Sequence, residues 1–446
     1  MSIAAILKQP EAHKRTFALA WPMILSNITI PLLGLVDTAV IGHLDHAYYL
    51  GGVALGSMII TLILWILGFL RMSTTALVAQ GHGADDFSAQ TRVLSQGVML
   101  ALLLAFTALV LQWPVMEWGI PLAGGSSEVQ HYGAQYFGIR IWGAPAALTN
   151  LVLLGFLLGR GMPKVAMWQL ILGNGLNISL DLLFVVGFGW GVAGAAWASV
   201  LAEYGTLMLA LYLVAKVLKQ HDALAWSKLV PQWQGVGRLL RLNRDIFIRT
   251  LCLQACLSFI TIMGARMGDL VVAANAVLLN FMLLISYALD GFAYSAEVEV
   301  ARAWGAKKAE QLKQAVLLCW VWSAMTALIF ALLFWGLGDW FISLMTGIEE
   351  VQQVASTHLI WVVMLPVLAF SCFLFDGVYI GAAQGSIMRN SMLVSAIGFF
   401  VLFWLCRDWG NHALWLALDG FMLLRGLTLA WHYRYRLRLP EQAKLD

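Results

Sequence analysis

Charge is what this chain has least of. Its 446 residues include 27 Lys and Arg and 24 Asp and Glu, 11% in all, where a soluble domain carries about a quarter. That shortage excludes a soluble globular domain. The formal charge of +3 is too small and too scattered to make nucleic acid a partner. Cysteine is scarce as well. Cys252, Cys256, Cys319, Cys372 and Cys406 are odd in number and fall in apolar runs. Their spacing fits neither a disulfide framework nor a metal motif, so they read as small packing residues. No phosphate-binding Gly-rich loop is present, which argues against work driven by ATP. The motifs of a polytopic membrane enzyme are missing too: His43 and His46 lie near each other in a loop without obvious partners. The chain is read as not an enzyme, with no cofactor and no metal expected.

What is abundant is apolar sequence, 61% of residues, with a mean hydropathy of +0.80. About 20 consecutive apolar residues cross a bilayer. On that measure the chain is an all-α polytopic membrane protein of twelve transmembrane helices, near 17–43, 51–80, 92–120, 132–160, 165–188, 191–216, 245–267, 271–301, 312–344, 352–382, 389–406 and 411–432. The first run follows Lys8, Lys14 and Arg15 but is too long for a cleaved signal peptide, so it is expected to persist as the first helix. The longest polar connection, 217–244, divides the chain into halves at 1–216 and 245–446. Lys and Arg concentrate in alternate connections, which places both termini on the cytoplasmic side by the positive-inside rule.

The halves repeat at an offset of 222 positions. VAQGHGA (78–84) meets VARAWGA (300–306), Gly42 falls on Gly264, and Gly155 and Gly159 fall on Gly377 and Gly381. Each half has an even number of helices, so both enter the membrane the same way. Transporters built from such repeats bind substrate between them and rock to alternate access.

Polar residues are not repeated with the rest. The first apolar run, ALAWPMILSNITIPLLGLVDTAVIGHL (18–44), holds Asp37 together with Pro22, Pro31 and Gly34. A charge in hydrocarbon costs about 2.5–3.5 kcal/mol, so an acid there is a functional candidate, and a proline makes a bend possible. Asp37 overlays Phe259. The fifth run carries Asn174, Asn177 and Asp181 at i, i+3 and i+7, on one helical face. Its counterpart, SMLVSAIGFFVLF (391–403), has no amide or acid. Asp37 and Asp181, if close, would titrate as a coupled pair. Glu203, in the sixth run, reads either as a further cavity candidate or as half of a structural ion pair. Asp290, Glu297, Glu299 and Arg302 read as gate-like ion pairs, with Arg71 and Arg140 as partners or snorkelling cations.

SNITIPLLGLVDTAVIGHL (26–44), FLRMSTTALVAQGHGA (69–84), LNRDIFIRTL (242–251), YALDGFAYSAE (287–297) and GNHALWLAL (410–418) together resemble the multidrug and toxic compound extrusion (MATE) family, in its DinF-like branch. The resemblance implies a V-shaped pair of six-helix bundles, the MATE/MOP fold. It also implies export of amphipathic, mostly cationic compounds by antiport with H⁺, from a monomer in the bacterial inner membrane. On this resemblance Asp37 is the proton site, Asn174, Asn177 and Asp181 are its polar partners, Asn150 is a cavity candidate, and Pro22 is the bending proline of the first helix. Asp376 corresponds to a C-terminal acid of the NorM-like branch and is the secondary candidate. Na⁺ coupling is the alternative, and so is a lipid-linked precursor flippase of the same superfamily. The flippase reading favours a cationic cleft, whereas the polar cluster here is acidic.

Overall fold

Apolar runs of this length leave the backbone one way to satisfy its hydrogen bonds in lipid, which is to bond within each segment as a helix. A computed structural model of the chain describes residues 9–42, 46–223 and 230–437; the side chains of residues 32, 34, 35, 37–39, 42 and 47 also fall outside the description. Every long element in it is helical. They are α1 (Pro10–Gly42), α2 (Tyr48–Gly83), α3 (Phe87–Ala123), α4 (Ser127–Gly159), α5 (Pro163–Gly187), α6 (Gly191–Gln220), α7 (Val236–Met267), α8 (Asp269–Gly305), α9 (Ala309–Met345), α10 (Glu349–Gly381), α11 (Gly385–Leu405) and α12 (Asn411–Arg436). The eleven from α2 onward are long and apolar enough to cross a membrane, and α1 makes the expected twelve. At 1.5 Å per residue the longest, α3, α8 and α9, reach about 55 Å, so they tilt or extend past the hydrocarbon.

Local chemistry sets the ends. Asp86 caps α3 by accepting from the Ala89 amide at 2.8 Å, and Ser126 caps α4 through the Val129 amide. Gly268 alone joins α7 to α8, at φ 125°, a conformation open to glycine and closed to residues with a Cβ. The connection expected over 217–244 is shorter than its polarity suggested. α6 continues to Gln220 and α7 begins at Val236, because polar residues at a helix end extend it beyond the apolar stretch.

The helices pack as two units. One comprises Leu25–Leu239, and the other comprises Met1–Ile24 with Leu240–Asp446. The first holds α2–α6 and the later part of α1, with α2 against α4, α3 against α4, and α5 against α6. The second holds α7–α12 around a core that includes Phe281, Phe334, Phe399, Trp415 and Phe421. The start of α1 belongs to this second unit. Phe17 packs edge-on to Phe292 and Trp322, Arg15 pairs with Glu299 at 3.0 Å, and Gly291 leaves room for Ile24. Large apolar side chains such as Trp113, Met208, Trp335 and Trp431 point outward, as a lipid-facing surface requires.

The repeat is visible in the packing of each unit. In the first, a Cβ at Gly155 would meet the carbonyl of Arg71, and one at Gly159 the carbonyl of Thr75. In the second, Gly377 meets the carbonyl of Ala293 and Gly381 that of Glu297. All four contacts obey the same 222-residue offset. The α2–α4 crossing is therefore rebuilt as the α8–α10 crossing, with glycine wherever a backbone comes too close for a side chain.

Candidate functional site

In the first unit α5 presents its polar face as its spacing predicts. Asn177 and Asp181 are buried, and Asn174 is half-buried. Asn174 donates to the Thr29 hydroxyl of α1 at 2.7 Å, and Thr29 in turn donates to the Ser26 carbonyl at 2.6 Å. Asn177 donates to the Ser199 hydroxyl of α6 at 3.3 Å, while its own carbonyl oxygen has no partner among the described residues. Asp181 is 2% exposed. Directly after it α5 loosens into a π-helical segment, Leu182–Gly187, a departure that is rare and frequent at functional sites. The face thus ties α5 to both α1 and α6. Asp37 lies on α1 by its backbone, and its side chain is outside the described residues. Pro22 is buried within α1, two residues before the division between the packing units.

Glu203 and Asn150 meet one turn further along α6 from Ser199. The Glu203 carboxylate takes two hydrogen bonds from Arg140 of α4, at 2.8 and 2.6 Å. This fork geometry is the strong form of the pair. Arg140 was expected to snorkel or to meet the α8 acids; its partner is instead Glu203. Helix α4 tightens into a 3₁₀ turn at Ile141–Gly143 beside this pair. A Cβ at Gly143 would meet Oε2 of Glu203 and Nη1 of Arg140, so glycine is what lets the ion pair fit. Asn150 donates to the Glu203 carbonyl at 3.0 Å. Glu203 and Asn150 thus both link α6 to α4.

In the second unit Asp376 of α10 lies between two arginines. Its Oδ2 accepts from Arg249 of α7 and, at 2.6 Å, from Arg425 of α12. Arg425 occupies the repeat position of Glu203. The two units thus each brace their last helix with an ion pair, and the charges at the corresponding positions are opposite. On α8, Glu299 takes Arg15 and Arg302 as partners.

The sequence reading passed over three ionisable groups in apolar runs: Arg249, Arg425 and Asp419. Asp419 of α12 is 2% exposed. The signal was present, since an acid inside an apolar run is the same feature that singled out Asp37. Among the described residues, no three His, Cys, Asp or Glu side chains converge as a metal site.

A family model described as MatE matches residues 22–183 and 246–406, two segments offset by nearly the repeat interval. Over 429 residues the chain is 46% identical to DNA damage-inducible protein F of Escherichia coli (strain K12), covering 95% of this chain and 93% of that one. It is 26% identical over 446 residues to a probable multidrug resistance protein NorM of Deinococcus radiodurans, covering 95% and 96%. Among solved structures, it superposes on a crystal structure of MATE in the bent conformation with a TM-score of 0.88, at 20% identity and 100% and 99% coverage. An outward-facing MATE family transporter of the MOP superfamily gives a TM-score of 0.85, at 22% identity and 95% coverage of both chains.

Proposed function

The chain belongs to the MatE family, and from that premise we propose that it is a proton-driven exporter of amphipathic organic cations. On this reading it sits in the bacterial inner membrane with both termini cytoplasmic, and its coupling site is the polar cluster of the first unit. The observation that carries the reading is the buried α5 face, whose Asn174 is bonded to α1 while Asp181 sits at the start of a π-segment. On this reading an acid at this face takes up a proton from the more acidic exterior. Loading Asp37 and Asp181 removes charge and adds a hydrogen-bond donor. The bonds around Asn174 and Asn177 rearrange in response, and Thr29 passes the change to α1. Helix α1 lacks a backbone donor at Pro22, so it bends there and reshapes the cavity that holds the substrate. Aromatic side chains, including some of the 20 Trp, supply faces that attract organic cations.

The test uses proteoliposomes and a fluorescent organic cation, with a pH gradient and a Na⁺ gradient imposed separately. Export driven by the pH gradient, and lost in Asp37→Asn and Asp181→Asn that insert normally, is the expected result. Export driven only by Na⁺, or full activity in both variants, refutes proton coupling at this cluster. Transport of a lipid-linked anion under either gradient would favour the flippase reading instead.

A further inference from the structure

Helix α12 carries an acid that this cluster does not use. Asp419 is 2% exposed, and neither of its carboxylate oxygens has a hydrogen-bond partner among the described residues. Its neighbours along the helix, Trp415, Leu418 and Met422, all lie within the apolar core of the second unit. The charged and titratable groups on the elements packed around α12 are engaged elsewhere. On α10, His358 bonds the Val354 carbonyl, Asp376 holds Arg249 and Arg425, and Tyr379 meets His432 of α12. Cys372 of α10 contacts the Met422 sulfur, and Tyr433 of α12 packs on Phe375. On α11, Arg389 reaches Asp245 at 2.8 Å. On α8, Tyr287, Asp290 and Glu297 have partners of their own. His412 of α12 accepts from Trp361, and Arg407 lies beside Asp408 in the turn before α12.

An ionised carboxylate in such surroundings is shut off from bulk solvent and has no counter-ion within hydrogen-bond distance among the described residues. Groups so placed neutralise rather than stay charged. A metal cation needs several oxygen ligands, and an indole, a leucine and a thioether supply none. The ligand that fits is a proton. An apolar residue was also open to this position, since the repeat counterpart of Asp419 is Trp197. Replacing a buried polar group by a well-packed apolar one is commonly neutral or stabilising, so a permanently neutral acid has no structural advantage here. An acid differs from leucine only where it releases and rebinds its proton. We propose that Asp419 is a proton-binding site of the second unit, separate from the α1–α5–α6 cluster and loaded in the conformation described here.

Two measurements test this on the full-length protein. The first is difference infrared spectroscopy of the purified protein during a pH titration, which reads protonated carboxyl groups directly and does not depend on transport. One titrating carboxyl band is expected to be lost in Asp419→Asn and kept in Asp37→Asn and Asp181→Asn. Asp419→Glu should keep the band at a shifted position, which separates loss of the site from loss of the fold. Spectra of Asp419→Asn that match the wild type overturn the proposal, and so does a band that never titrates. The second measurement rests on the proton-driven reading: the proton count per exported cation should fall by one in Asp419→Asn. An unchanged count overturns a role in the cycle. Absence of any proton-driven export in the wild type removes the coupling reading and leaves the infrared result to decide the site.

Discussion

The Arg140–Glu203 pair separates a structural charge from a transport charge by a measurement whose outcomes diverge widely. Both side chains are largely buried, 13% and 18% exposed, and they meet through two short hydrogen bonds. Removing one partner of a buried pair leaves the other uncompensated, which costs about 3–5 kcal/mol, while replacing both with apolar residues of similar volume is neutral or stabilising by about 1–4 kcal/mol. Glu203→Met and Arg140→Met should therefore each cost about 3–5 kcal/mol, less the relief that partial exposure allows. The double variant should recover most of that loss, giving a coupling energy near or above the roughly 3 kcal/mol upper end for neighbouring residues. Gly143 sharpens the expectation. A Cβ there collides with both partners, so Gly143→Ala alone should destabilise much as a single-charge variant does. The assay is an unfolding titration of the wild type and the four variants, read beside cation export from proteoliposomes. Full stability and near-normal export in the double variant are expected. A double variant as unstable as the sum of the singles would falsify the pairing argument. A stable double variant without export would return Glu203 to the cavity as a substrate ligand.

Other outcomes follow from the same contacts. Asn174→Ala removes one interhelical hydrogen bond, worth on average about 0.6 and at most about 1.7 kcal/mol in a membrane; stability should barely change while proton-driven export falls, and unchanged export would detach α5 from the motion of α1. Gly155→Leu and Gly377→Leu each force a side chain onto a backbone carbonyl and should destabilise by at least the 1–3 kcal/mol or so typical of overpacking; tolerance at either position would contradict the shared helix crossing. Pro22→Ala restores a backbone donor to α1. It should leave folding intact or firmer and slow export, and wild-type export rates would remove the bend from the mechanism.

The twelve helices and the repeat were legible because each rests on a property that survives in one dimension, namely apolar run length and a constant interval between glycines. The polar face of α5 was legible because Asn174, Asn177 and Asp181 obey helical spacing. The Arg140–Glu203 pairing was not, since 63 residues separate the partners and only the packing of α6 on α4 brings them together. The same limit applies to α1. A polar connection marked the division of the chain, yet residues from Pro10 to Ile24 pack on α8 and α9. What holds them there is a ring cluster, an ion pair and the space above Gly291, and none of these is a feature of hydropathy.

Comparing the two copies assigns different residues to different duties. Where a backbone approaches a backbone, both copies keep glycine at the same offset, because the cost of a Cβ there is steric and the same in each unit. Where an ionisable residue falls within an apolar run the copies part: Asp37 faces Phe259 in the alignment of the repeat, Glu203 faces Arg425, and Asp419 faces Trp197. A fold that needed only packing would be served as well by matching apolar residues at these positions, since burying charge is a cost in either copy. The difference between the copies therefore marks where the chain accepts a penalty in stability. The Glu203 and Arg425 positions recover it through ion pairs within their own units. Among the described residues Asp419 has no neighbour to recover it from, which is why a proton is the ligand its surroundings can accommodate.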